Sequence, residues 1–515
     1  MNGIGVDVGS SSLKVVMVTD TGEVLARASH PLVTNHIGEK VTQNPKKLWL
    51  ALQRVLTDLV AENPAGAAGV TDIGVCSQYS SVVPVDDGGV PVGPIVMYMD
   101  RRGTDLCWQI LERHPEAFEV FVERHGIPPI GAGLTLSHIL AIEAEEPEVA
   151  GSTADYLEVM DFVNLLLTGR ACATQATMFA SQLCDNRIIG TTEYDELLVS
   201  MAGIDPARLP ELVELSTVVG EVRDSVADKL GLPHGIRVHA GMNDTQAAAF
   251  ATGVMHSKSA DGSPTADSNE SGHSVGIAIG TTSVVIDSAD RHAVDLDHEV
   301  LSMPAPLAGK RLVMAENGVA GRSVEHFFEL MDIDAFNGDT IKTALESSKP
   351  GASGLLFMPW LDGSMAPAAD ASVRGGLIGL SLTTTRSDLI RAALEGTSLN
   401  LAWLLPAVES LTGRNADRIV FTGGAARSTG WAQVLADVTQ RSVDVVTDPS
   451  FAAATAVARV VMCSASGEDP GMLSPPIARS VEPDRSLSGL YESLGEQFRS
   501  TFSMSRGICE ALGHG

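Results

Sequence analysis

Two short turns rich in glycine and hydroxyl residues carry the clearest chemistry in this sequence. The first, Gly9-Ser10-Ser11-Ser12, follows an apolar run that begins at Gly5, and the second, Gly280-Thr281-Thr282-Ser283, follows a run that begins at Gly276. The two stretches align without a gap. Such turns expose backbone N–H groups and short hydroxyl donors, which suit a phosphate. The repeat therefore predicts two phosphate-binding turns, although two unrelated β-hairpins would look the same locally.

The two copies differ at a position that bears on metal binding. Asp7 in the first copy is replaced by Ala278 in the second. When two turns bind the same phosphate chain, one metal ion held by one of the turns supplies the positive charge that the phosphates need. We therefore expect two half-molecules that clasp the phosphates of a nucleotide, with Asp7 placing Mg²⁺ through the water ligands of the ion.

Polar residues follow two apolar strands predicted in the first half. Ile73-Gly74-Val75-Cys76 predicts a buried strand and leads to Gln78-Tyr79-Ser80-Ser81, at the kind of strand end where open α/β sheets bind ligands. The strand from Pro94 to Met99 leads to Asp100-Arg101-Arg102. An aspartate that accepts hydroxyl protons beside guanidinium donors suits a polyhydroxylated ligand. A polar turn at the first position and a surface ion pair at the second would explain the same residues without a ligand.

A short strand, Arg237 to Ala240, leads into Gly241-Met242-Asn243-Asp244 and then into an alanine-rich helix. Asn243 or Asp244 would cap this helix, because short polar side chains accept hydrogen bonds from its first N–H groups. An aspartate at the end of a buried strand, between two phosphate turns, is also where a catalytic base must lie. Phosphoryl transfer asks the base to hold a hydroxyl in line and to take its proton late, so an ordinary carboxylate suffices.

A glycine pair follows the strand Ile419-Val420-Phe421 in the second half. The run Thr422-Gly423-Gly424-Ala425-Ala426-Arg427-Ser428 precedes a helix predicted from Trp431. Two glycines at a strand-to-helix turn let a flat ring or a ribose approach the backbone, although a tight turn alone would explain them. Ile73 to Ser77 occupies the matching place in the first half.

Charge and cysteine content exclude several classes of protein. The 515 residues include 64 acidic and 35 basic side chains, a net charge of −29, which argues against nucleic acid or an anionic membrane as a partner. The six cysteines are scattered without a Cys-x-x-Cys pair, which favours a reducing compartment. The first strand begins almost at Met1, and no apolar run is long enough to span a bilayer. We expect a cytoplasmic protein.

The length predicts two or more domains. The repeat places one domain at residues 1–246 and the second at residues 247–515. A tract rich in Gly, Ser and Asp at residues 256–273 can bury almost no apolar surface, so we expect a mobile loop at the junction.

These motifs, in this order, resemble the FGGY family of carbohydrate kinases, and most closely its xylulokinase-like members. The resemblance covers nearly the whole chain and lies in the order of the motifs rather than in any single one. It implies an α/β fold of two ribonuclease-H-like domains, the actin/hexokinase-like ATPase architecture, with ATP, Mg²⁺ and a small sugar in the cleft between them. Closure of the domains over the sugar would exclude water and so suppress ATP hydrolysis.

The resemblance also implies roles for individual residues. Asp244 would be the general base, and Asp7 and Asp244 would contact the metal. The residues that would position the substrate are Gln78, Tyr79, Ser80, Asp100, Arg101, Arg102 and Asn243. The residues that would bind the nucleotide are Gly9, Ser10, Ser11, Ser12, Lys14, Gly280, Thr281, Thr282, Gly423, Gly424, Ala425 and Ser428.

Two departures from the family pattern bear on the substrate. Xylulokinases usually carry Gln-Met-His-Gly where this chain has Gln78-Tyr79-Ser80-Ser81, so a serine stands where a histidine would touch the sugar. The Gly-Glu-Arg signature near Gly363 is replaced by Ser364-Met365. A different ketopentose, or a polyol such as erythritol or glycerol, competes with D-xylulose. Arg101-Arg102 leans toward the polyol kinases, whereas Thr281-Thr282-Ser283 leans toward xylulokinase.

Two hypotheses follow for the function. The leading one is an ATP- and Mg²⁺-dependent kinase of a small sugar, in the first place a ketopentose. The other is a nucleotide-operated binding or regulatory protein, like the chaperone ATPases of the same architecture, which would keep the phosphate turns but have no need for Asp100-Arg101-Arg102. The expected partner is a small sugar or polyol, with no nucleic acid and no membrane, and a homodimer is left open.

Overall fold

The computed structural model describes residues 1–255, 272–334 and 338–513. The tract predicted as a mobile loop, 256–273, lies outside these residues except for its last two positions. The described chain forms two lobes, and each lobe is built on a mixed β-sheet.

The N-terminal lobe contains one mixed sheet and a smaller antiparallel sheet. Its strands are β1 (Asn2–Val8), β2 (Ser12–Thr19), β3 (Val24–Pro31), β4 (Asn35–Ile37), β5 (Lys40–Gln43), β6 (Val70–Ser77), β7 (Val82–Val85), β8 (Ile95–Val96), β9 (Asp155–Glu158), β10 (Ala173–Thr174), β11 (Leu212–Val213), β12 (Val218–Glu221), β13 (Arg237–His239) and β14 (Met242–Asn243). β1 pairs antiparallel with β2 and parallel with β6, and β2 pairs antiparallel with β3. β13 and β14 both pair parallel with β6.

Helices pack against these sheets. They are α1 (Pro45–Glu62), α2 (Pro64–Ala67), α3 (Thr104–Arg113), α4 (Ala117–Arg124), α5 (Thr135–Glu145), α6 (Pro147–Ser152), α7 (Val159–Thr168), α8 (Glu196–Ala202), α9 (Asp224–Leu230) and α10 (Asp244–Thr252). α1 buries one apolar face in the core of the large sheet, as the helical spacing predicts. The buried members of this face are Leu48, Leu52, Val55, Leu56 and Leu59.

The C-terminal lobe repeats the plan. Its strands are β15 (His273–Ile279), β16 (Thr282–Ala289), β17 (Val294–Asp295), β18 (Val300–Pro304), β19 (Arg311–Val319), β20 (Leu356–Met358), β21 (Gly376–Ile378), β22 (Ala416–Thr422), β23 (Ser442–Val446) and β24 (Ile477–Val481). Its helices are α11 (Gly321–Leu330), α12 (Gly338–Ser347), α13 (Arg386–Thr412), α14 (Thr429–Thr439), α15 (Ala452–Ala465) and α16 (Ser488–Ala511). Within the described ranges, no helix is both long enough and apolar enough to cross a membrane.

The two large sheets share one strand arrangement. The order β3-β2-β1-β6-β13 in the first corresponds to β19-β16-β15-β22-β23 in the second, with antiparallel pairing on one side and parallel pairing on the other. Gly5 lies opposite Gly74, and Gly276 lies opposite Val420, so the strands predicted to match do match. The predicted α/β class, two ribonuclease-H-like domains in the actin/hexokinase-like arrangement, is confirmed.

One alanine-rich helix of each lobe packs against the other lobe. α15, from the second lobe, packs on β1 and β6, whereas α10, from the end of the first lobe, packs on β15 and on α15 itself. One apolar cluster joins Val16 and Val18 of β2 to Ala454, Ala458 and Met462 of α15. The small side chains let helix and sheet approach closely, so the two lobes pack against each other through apolar contacts.

The repeated glycines Gly5 and Gly276 serve this packing. A Cβ atom on Gly5 would lie 1.9 Å from the carbonyl oxygen of Ala454, and one on Gly276 would lie 2.4 Å from Oγ1 of Thr252. Both distances are far below van der Waals contact. The glycine that opens each copy of the repeat therefore admits a helix of the opposite lobe.

α10 also bears on the domain boundary predicted between residues 246 and 247. The helix runs without interruption from Asp244 to Thr252 and so crosses that position. Because α10 packs against the second lobe, the chain passes between lobes along a helix rather than along a loop at this point. The boundary itself stays a prediction.

Candidate active site

Three strand ends of the first lobe meet side by side. Val8 of β1 pairs with Ser77 of β6, and Ser77 pairs with Asn243 of β14. The backbone N–H of Gln78 donates to the carbonyl of Val8 at 2.9 Å, which holds the loop after β6 against the end of β1. The first phosphate turn, the Gln78-Tyr79-Ser80-Ser81 loop and Asp244 are therefore neighbours, as the strand-end rule predicts.

Each of the two predicted phosphate turns is closed by a backbone hydrogen bond from its glycine, to the third residue after Gly9 and to the second residue after Gly280. The N–H of Gly9 donates to the carbonyl of Ser12 at 3.0 Å, and the N–H of Gly280 donates to the carbonyl of Thr282 at 2.8 Å. No atom lies within 4 Å of the position that a Cβ on Gly280 would take, so the backbone there is open to a ligand. Both turns are suited to bind phosphate.

Three carboxyl groups share the cleft between the lobes. Burial raises the pKa of Asp7, although the ammonium of Lys14, 4.0 Å away, acts in the opposite direction. Burial, with the charges of Asp7 and Glu316, raises the pKa of Asp244 to about 7. Burial also raises the pKa of Glu316 to about 7. Asp244 and Glu316 belong to different lobes, and the charge of Glu316 acts on Asp244, so the two lobes face each other here.

The hydrogen bonds of Asn243 and Asp244 show which of these two residues caps helix α10. The Asn243 side chain accepts from the N–H of Gln246 at 2.8 Å, and the Gln246 side chain accepts from the N–H of Asn243 at 2.8 Å. This reciprocal pair caps α10. Asp244 is the first residue of the helix, and its carboxyl accepts from the N–H of Thr245 at 2.9 Å. The capping role thus falls to Asn243, and Asp244 is left to face the cleft.

Glu316 was missed by the sequence analysis. Glu316 directly follows the apolar run Leu312 to Ala315, and a charged residue interrupts the pattern of a buried strand. The structure extends the strand to Val319 through pairing with β16. The residue of the second lobe that corresponds to Asp7 is Ala278, which has no charge. The second lobe therefore contributes its acid to the cleft from a different strand, β19. A lone acid directly after an apolar run was the available signal.

Several buried polar atoms beside the cleft have no hydrogen-bond partner among the described residues. They are Oε1 of Gln78, Oγ of Ser80, Oγ of Ser81, both ring nitrogens of His138 and Nδ2 of Asn243. Buried polar groups are normally satisfied, and an unmet one is unfavourable by about 1–3 kcal/mol. Ser80 also adopts a left-handed backbone conformation with φ of 58°. Unmet donors and acceptors together with local backbone strain are typical of ligand sites. Binding of a substrate by Gln78, Ser80 and Asn243 stays a prediction.

Glu158 supports the loop of this pocket from behind. Its carboxyl accepts from the N–H of Ser81 at 3.1 Å and also from the hydroxyl of Thr135 at the start of α5. The side chain is fully buried, and burial raises its pKa to about 8. His138, one helical turn after Thr135, lies near the carbonyl of Ser80 and near the charge of Asp100. The first turn of α5 therefore forms the back wall of the pocket.

The free energy of unfolding of the wild type is expected to fall as pH rises, in part because of Glu158. The variant Glu158→Gln should remove that part of the fall. Between the ordinary value of 4.5 and about 8, the unfolded chain releases this proton and the folded chain keeps it. The free energy of unfolding therefore falls across that window, by up to about 1.4 kcal/mol per pH unit for one group. Urea unfolding at several pH values should show an advantage of the variant that grows with pH. The exposed control Glu148→Gln should parallel the wild type, and a pH-independent difference for Glu158→Gln would contradict the assignment.

Asp100 and Arg102 are bound mainly to each other and to the protein. The Asp100 carboxylate accepts from the N–H of Val41 at 3.0 Å and from the Arg102 guanidinium at 3.0 Å. The guanidinium also donates to Glu145 at 3.2 Å and to Glu146 at 2.9 Å. Both side chains are nearly inaccessible to solvent. In this arrangement they hold the wall of the pocket, and direct contact with a substrate stays a prediction.

Arg101 has a different place from its neighbours. Its side chain is 61% exposed, and its guanidinium lies 3.8 Å from the carboxylate of Asp362 in the second lobe. Asp362 follows β20 and precedes the Gly363 turn. The pair spans the two lobes at the rim of the cleft. Exposed pairs of this kind contribute little to stability.

The glycine pair of the second lobe forms a sharp turn after β22. Gly423 has φ of 86°, and a Cβ on it would lie 2.4 Å from the carbonyl oxygen of Ile279. Gly424 has no atom within 4 Å of its Cβ position, so the backbone is open there. The hydroxyl of Ser428 accepts from the N–H of Trp431 at 3.2 Å and caps α14. Gly424 and Ala425 thus lie on an accessible surface beside β15, whereas Ser428 is used as a helix cap.

The acids of the cleft fit a divalent cation. Burial raises the pKa of all three acids, and the charges of Asp7 and Glu316 raise that of Asp244 further. Lys14 acts in the opposite direction on the pKa of Asp7. A cation bound near these acids would offset their negative charge. The described residues contain no group of three or more His, Cys, Asp or Glu side chains placed to hold a metal. Such an ion would be held through water and nucleotide phosphates, as Mg²⁺ prefers.

Comparison with known proteins agrees with this geometry. Residues 3–251 match the N-terminal domain of the FGGY family of carbohydrate kinases, and residues 275–461 match its C-terminal domain. A xylulose kinase of Staphylococcus epidermidis is 28% identical over 443 residues, covering 84% of this chain and 82% of the relative. A gluconokinase of Bacillus subtilis is 25% identical over 453 residues, covering 85% and 83%.

A solved structure shares the fold over the full length. The xylulose kinase from Rhodospirillum rubrum superposes with a TM-score of 0.81 at 24% identity, covering 99% of this chain and 100% of that one. Because the family matches extend over both lobes and include the turns, Asp244 and the glycine pair, the assignment does not depend on a single motif. The chain belongs to the FGGY family of carbohydrate kinases.

Proposed function

We propose that this sugar kinase transfers the terminal phosphate of ATP to a hydroxyl group of a ketopentose, with Asp244 as the general base. The observation that carries the proposal is the position of Asp244. It is the first residue of α10, it faces the cleft beside Asp7 and Glu316, and it lies next to a pocket with unmet hydrogen-bonding groups. The hypothesis of a regulatory nucleotide-binding protein is set aside, because the family match identifies a carbohydrate kinase.

The acceptor pocket supports a substrate rich in hydroxyl groups. Gln78, Ser80, Ser81, His138 and Asn243 all keep buried polar atoms without partners. A ligand with several hydroxyl groups satisfies such atoms, because each hydroxyl both donates and accepts. The xylulose kinase relatives favour a ketopentose. The gluconokinase relative and the serine at position 80 are also compatible with other acceptors, including polyols.

Asp244 supports the role of a base through its pKa. Burial and two neighbouring acids raise that pKa to about 7, near the pH at which a cytoplasmic enzyme operates. A base with a pKa near the working pH is both available and strong enough to take a proton. The N-terminus of α10 holds the carboxylate in place through the N–H of Thr245. Asp244 would thus orient the acceptor hydroxyl toward the phosphorus and receive its proton late in the transfer.

The remaining residues would hold the donor. Gly9 to Ser12 and Gly280 to Thr282 would bind the phosphates from the two lobes through backbone N–H groups and hydroxyls. Asp7, with Lys14 close by, would place Mg²⁺, which neutralises charge on the phosphates when bound. Gly423, Gly424 and Ala425 would lie under the adenosine, and Ser428 would position that turn by capping α14. Closure of the lobes would exclude water from the reacting phosphate.

ADP release measured with a panel of acceptors tests the proposed function. We expect ADP release to depend on ATP, on Mg²⁺ and on the acceptor, with D-xylulose or another ketopentose giving the highest kcat/KM. Hexuloses, gluconate, erythritol and glycerol complete the panel, and the phosphorylated product is identified by mass spectrometry. A polyol or gluconate as best acceptor would keep the kinase and replace the ketopentose. ADP release that no acceptor stimulates would contradict the proposal.

A further inference from the structure

We propose that Gln43 is a positioning residue for the first phosphate turn. The inference rests on the proposed function and adds a residue to it. The side-chain amide of Gln43 donates from Nε2 to the carbonyl oxygen of Ser10 at 2.7 Å. Through this hydrogen bond, Gln43 fixes the direction in which the peptide group between Ser10 and Ser11 presents its N–H to a phosphate.

The geometry of one peptide group links Gln43 to the phosphate. The carbonyl of Ser10 and the N–H of Ser11 belong to the same peptide group, which is planar and trans, so the two bonds point in opposite directions. Gln43 is only 3% exposed, whereas Ser11 is exposed. The N–H of Ser11 therefore points away from Gln43, toward the open side of the turn. A reversed peptide would present its carbonyl oxygen there, and that oxygen would repel a phosphate.

A second side chain takes part in the same contact. Nε2 of Gln43 also donates to Oγ1 of Thr34 at 3.0 Å, and the hydroxyl of Thr34 donates to the carbonyl of Ser10 at 3.3 Å. Both hydrogens of the amide are thus used, which fixes its orientation. The next carbonyl, that of Ser11, accepts from the N–H of Leu32 at 2.8 Å. Two successive carbonyls of the turn are therefore held by the protein behind it.

The second phosphate turn holds the matching carbonyl in another way. Thr281 takes the place of Ser10 when the two copies of the repeat are aligned. Its carbonyl accepts from the N–H of Ala320 at 3.1 Å and from the N–H of Arg322 at 3.2 Å, at the start of α11. The second lobe therefore fixes this carbonyl with its backbone, and the first lobe fixes it with a side chain. Two different solutions at matching positions indicate that the direction of this peptide matters to the turn.

Gln43 is itself held in a fixed place. It lies in β5, which pairs antiparallel with β8. Two residues earlier, the N–H of Val41 donates to the carboxylate of Asp100 at 3.0 Å. The next residue, Asn44, caps α1 by accepting from the N–H of Lys46 at 3.0 Å. The wall of the acceptor pocket and the start of α1 therefore support the strand that carries Gln43.

A purely structural role of Gln43 predicts different effects of its removal. The loss of a buried hydrogen bond lowers the free energy of unfolding, but it does not by itself distinguish between two substrates. A change in the direction of the Ser11 N–H weakens the binding of the phosphates of ATP and leaves the acceptor pocket in place. The affinity for ATP, compared with the KM for the acceptor, therefore separates the two roles.

The variants Gln43→Met and Gln43→Glu test the inference. Methionine has nearly the same length but no donor, so the Kd for ATP with Mg²⁺ is expected to rise about 5- to 10-fold. Glutamate keeps the shape and places acceptor oxygens against the carbonyl of Ser10, so a rise of about 10- to 100-fold is expected. Calorimetric titration with ATP and Mg²⁺ measures the Kd without an acceptor. In initial rates with D-xylulose as the first acceptor probe, the KM for ATP should rise and the KM for the acceptor should stay within about two-fold.

Thr34→Val provides a milder change at the same contact. It removes the hydroxyl that lies between Gln43 and the carbonyl of Ser10, so the Kd for ATP is expected to rise about 2- to 5-fold. Combined with Gln43→Met, the total effect should be smaller than the product of the two single effects, because both side chains hold one carbonyl.

The matched control is Gln53→Met. Gln53 is also a buried glutamine of the first lobe, but it lies on α1, and in the described structure its side chain makes no hydrogen bond to the phosphate turn. We expect this variant to keep the Kd for ATP. Unfolding midpoints in urea show whether each variant is folded. If Gln43→Glu does not fold, Gln43→Met and Thr34→Val introduce no charge and give the answer by themselves.

The outcomes separate the two proposals. A wild-type protein that no acceptor in the panel stimulates would overturn the proposed function, and the calorimetric Kd values would still decide the role of Gln43. Near-normal ATP affinity in the folded Gln43 variants, or equal rises in the KM for ATP and for the acceptor, would overturn that role alone. Weaker ATP binding in these variants, with the acceptor KM and the Gln53→Met control unchanged, would support it.

Discussion

Asp244→Asn is expected to lower kcat by about three to four orders of magnitude, the contribution of a general base, while ATP affinity stays near that of the wild type. Asparagine keeps the size of the side chain and can still accept from the N–H of Thr245. It cannot take a proton from the acceptor hydroxyl. Because the phosphate turns do not depend on this proton transfer, binding and catalysis should separate. Initial rates and calorimetric titration with ATP measure the two effects.

The matched control for Asp244→Asn is Asp161→Asn in the same lobe. Asp161 is also buried, and burial raises its pKa to about 8, but it lies on α7 beside Thr177 and is not among the charges that act on Asp244. Removal of a buried acid alone should therefore leave kcat within a few-fold of the wild type. A near-normal rate in Asp244→Asn would remove Asp244 from the role of base. Equal losses in both variants would point to a general effect of lost buried charge.

Gly5→Ala is expected to destabilise the protein by at least about 3 kcal/mol, at or beyond the upper end for overpacking. The added methyl group would lie 1.9 Å from the carbonyl oxygen of Ala454 and 2.7 Å from the backbone nitrogen of Ala458. Both atoms belong to the backbone of α15, so no side-chain rotation relieves the contact. The helix would have to shift as a body away from β1 and β6. Urea unfolding followed by circular dichroism measures the loss.

Alanine substitutions at two further glycines give a series of expected losses of stability. Gly276→Ala would place its methyl 2.4 Å from Oγ1 and 2.9 Å from Cβ of Thr252. Both contacts are less close than the 1.9 Å contact at Gly5 and involve no backbone atom, so a smaller loss is expected. Gly151→Ala on α6 meets no atom within 4 Å and serves as the benign control. The order of destabilisation should be Gly5, then Gly276, then Gly151. If Gly5→Ala behaves like Gly151→Ala, the close packing of α15 on β1 is not a constraint in solution.

The local chemistry of this chain could be predicted from the sequence because it depends on short-range pattern. The paired turns at Gly9 and Gly280 and the Asp244 motif are contiguous stretches whose residue types suit phosphate binding and proton transfer. Period-two and helical patterns placed these stretches at strand ends, and strand ends of a mixed sheet meet at one edge. The two phosphate turns followed from residue type and spacing, whereas the fold class and the enzyme class followed from the resemblance of the ordered motifs to the FGGY family.

Only the tertiary structure decided which residues meet across the lobes. Glu316 reaches the cleft through the pairing of β19 with β16, and Gly5 admits α15, which lies far away in the sequence. The same structure turned Asp100 and Arg102 toward each other and made Asn243, rather than Asp244, the cap of α10. Contacts of this kind depend on how two sheets pack against each other. The side-chain periodicity of one segment shows which of its faces is buried, but it does not show which distant segment covers that face.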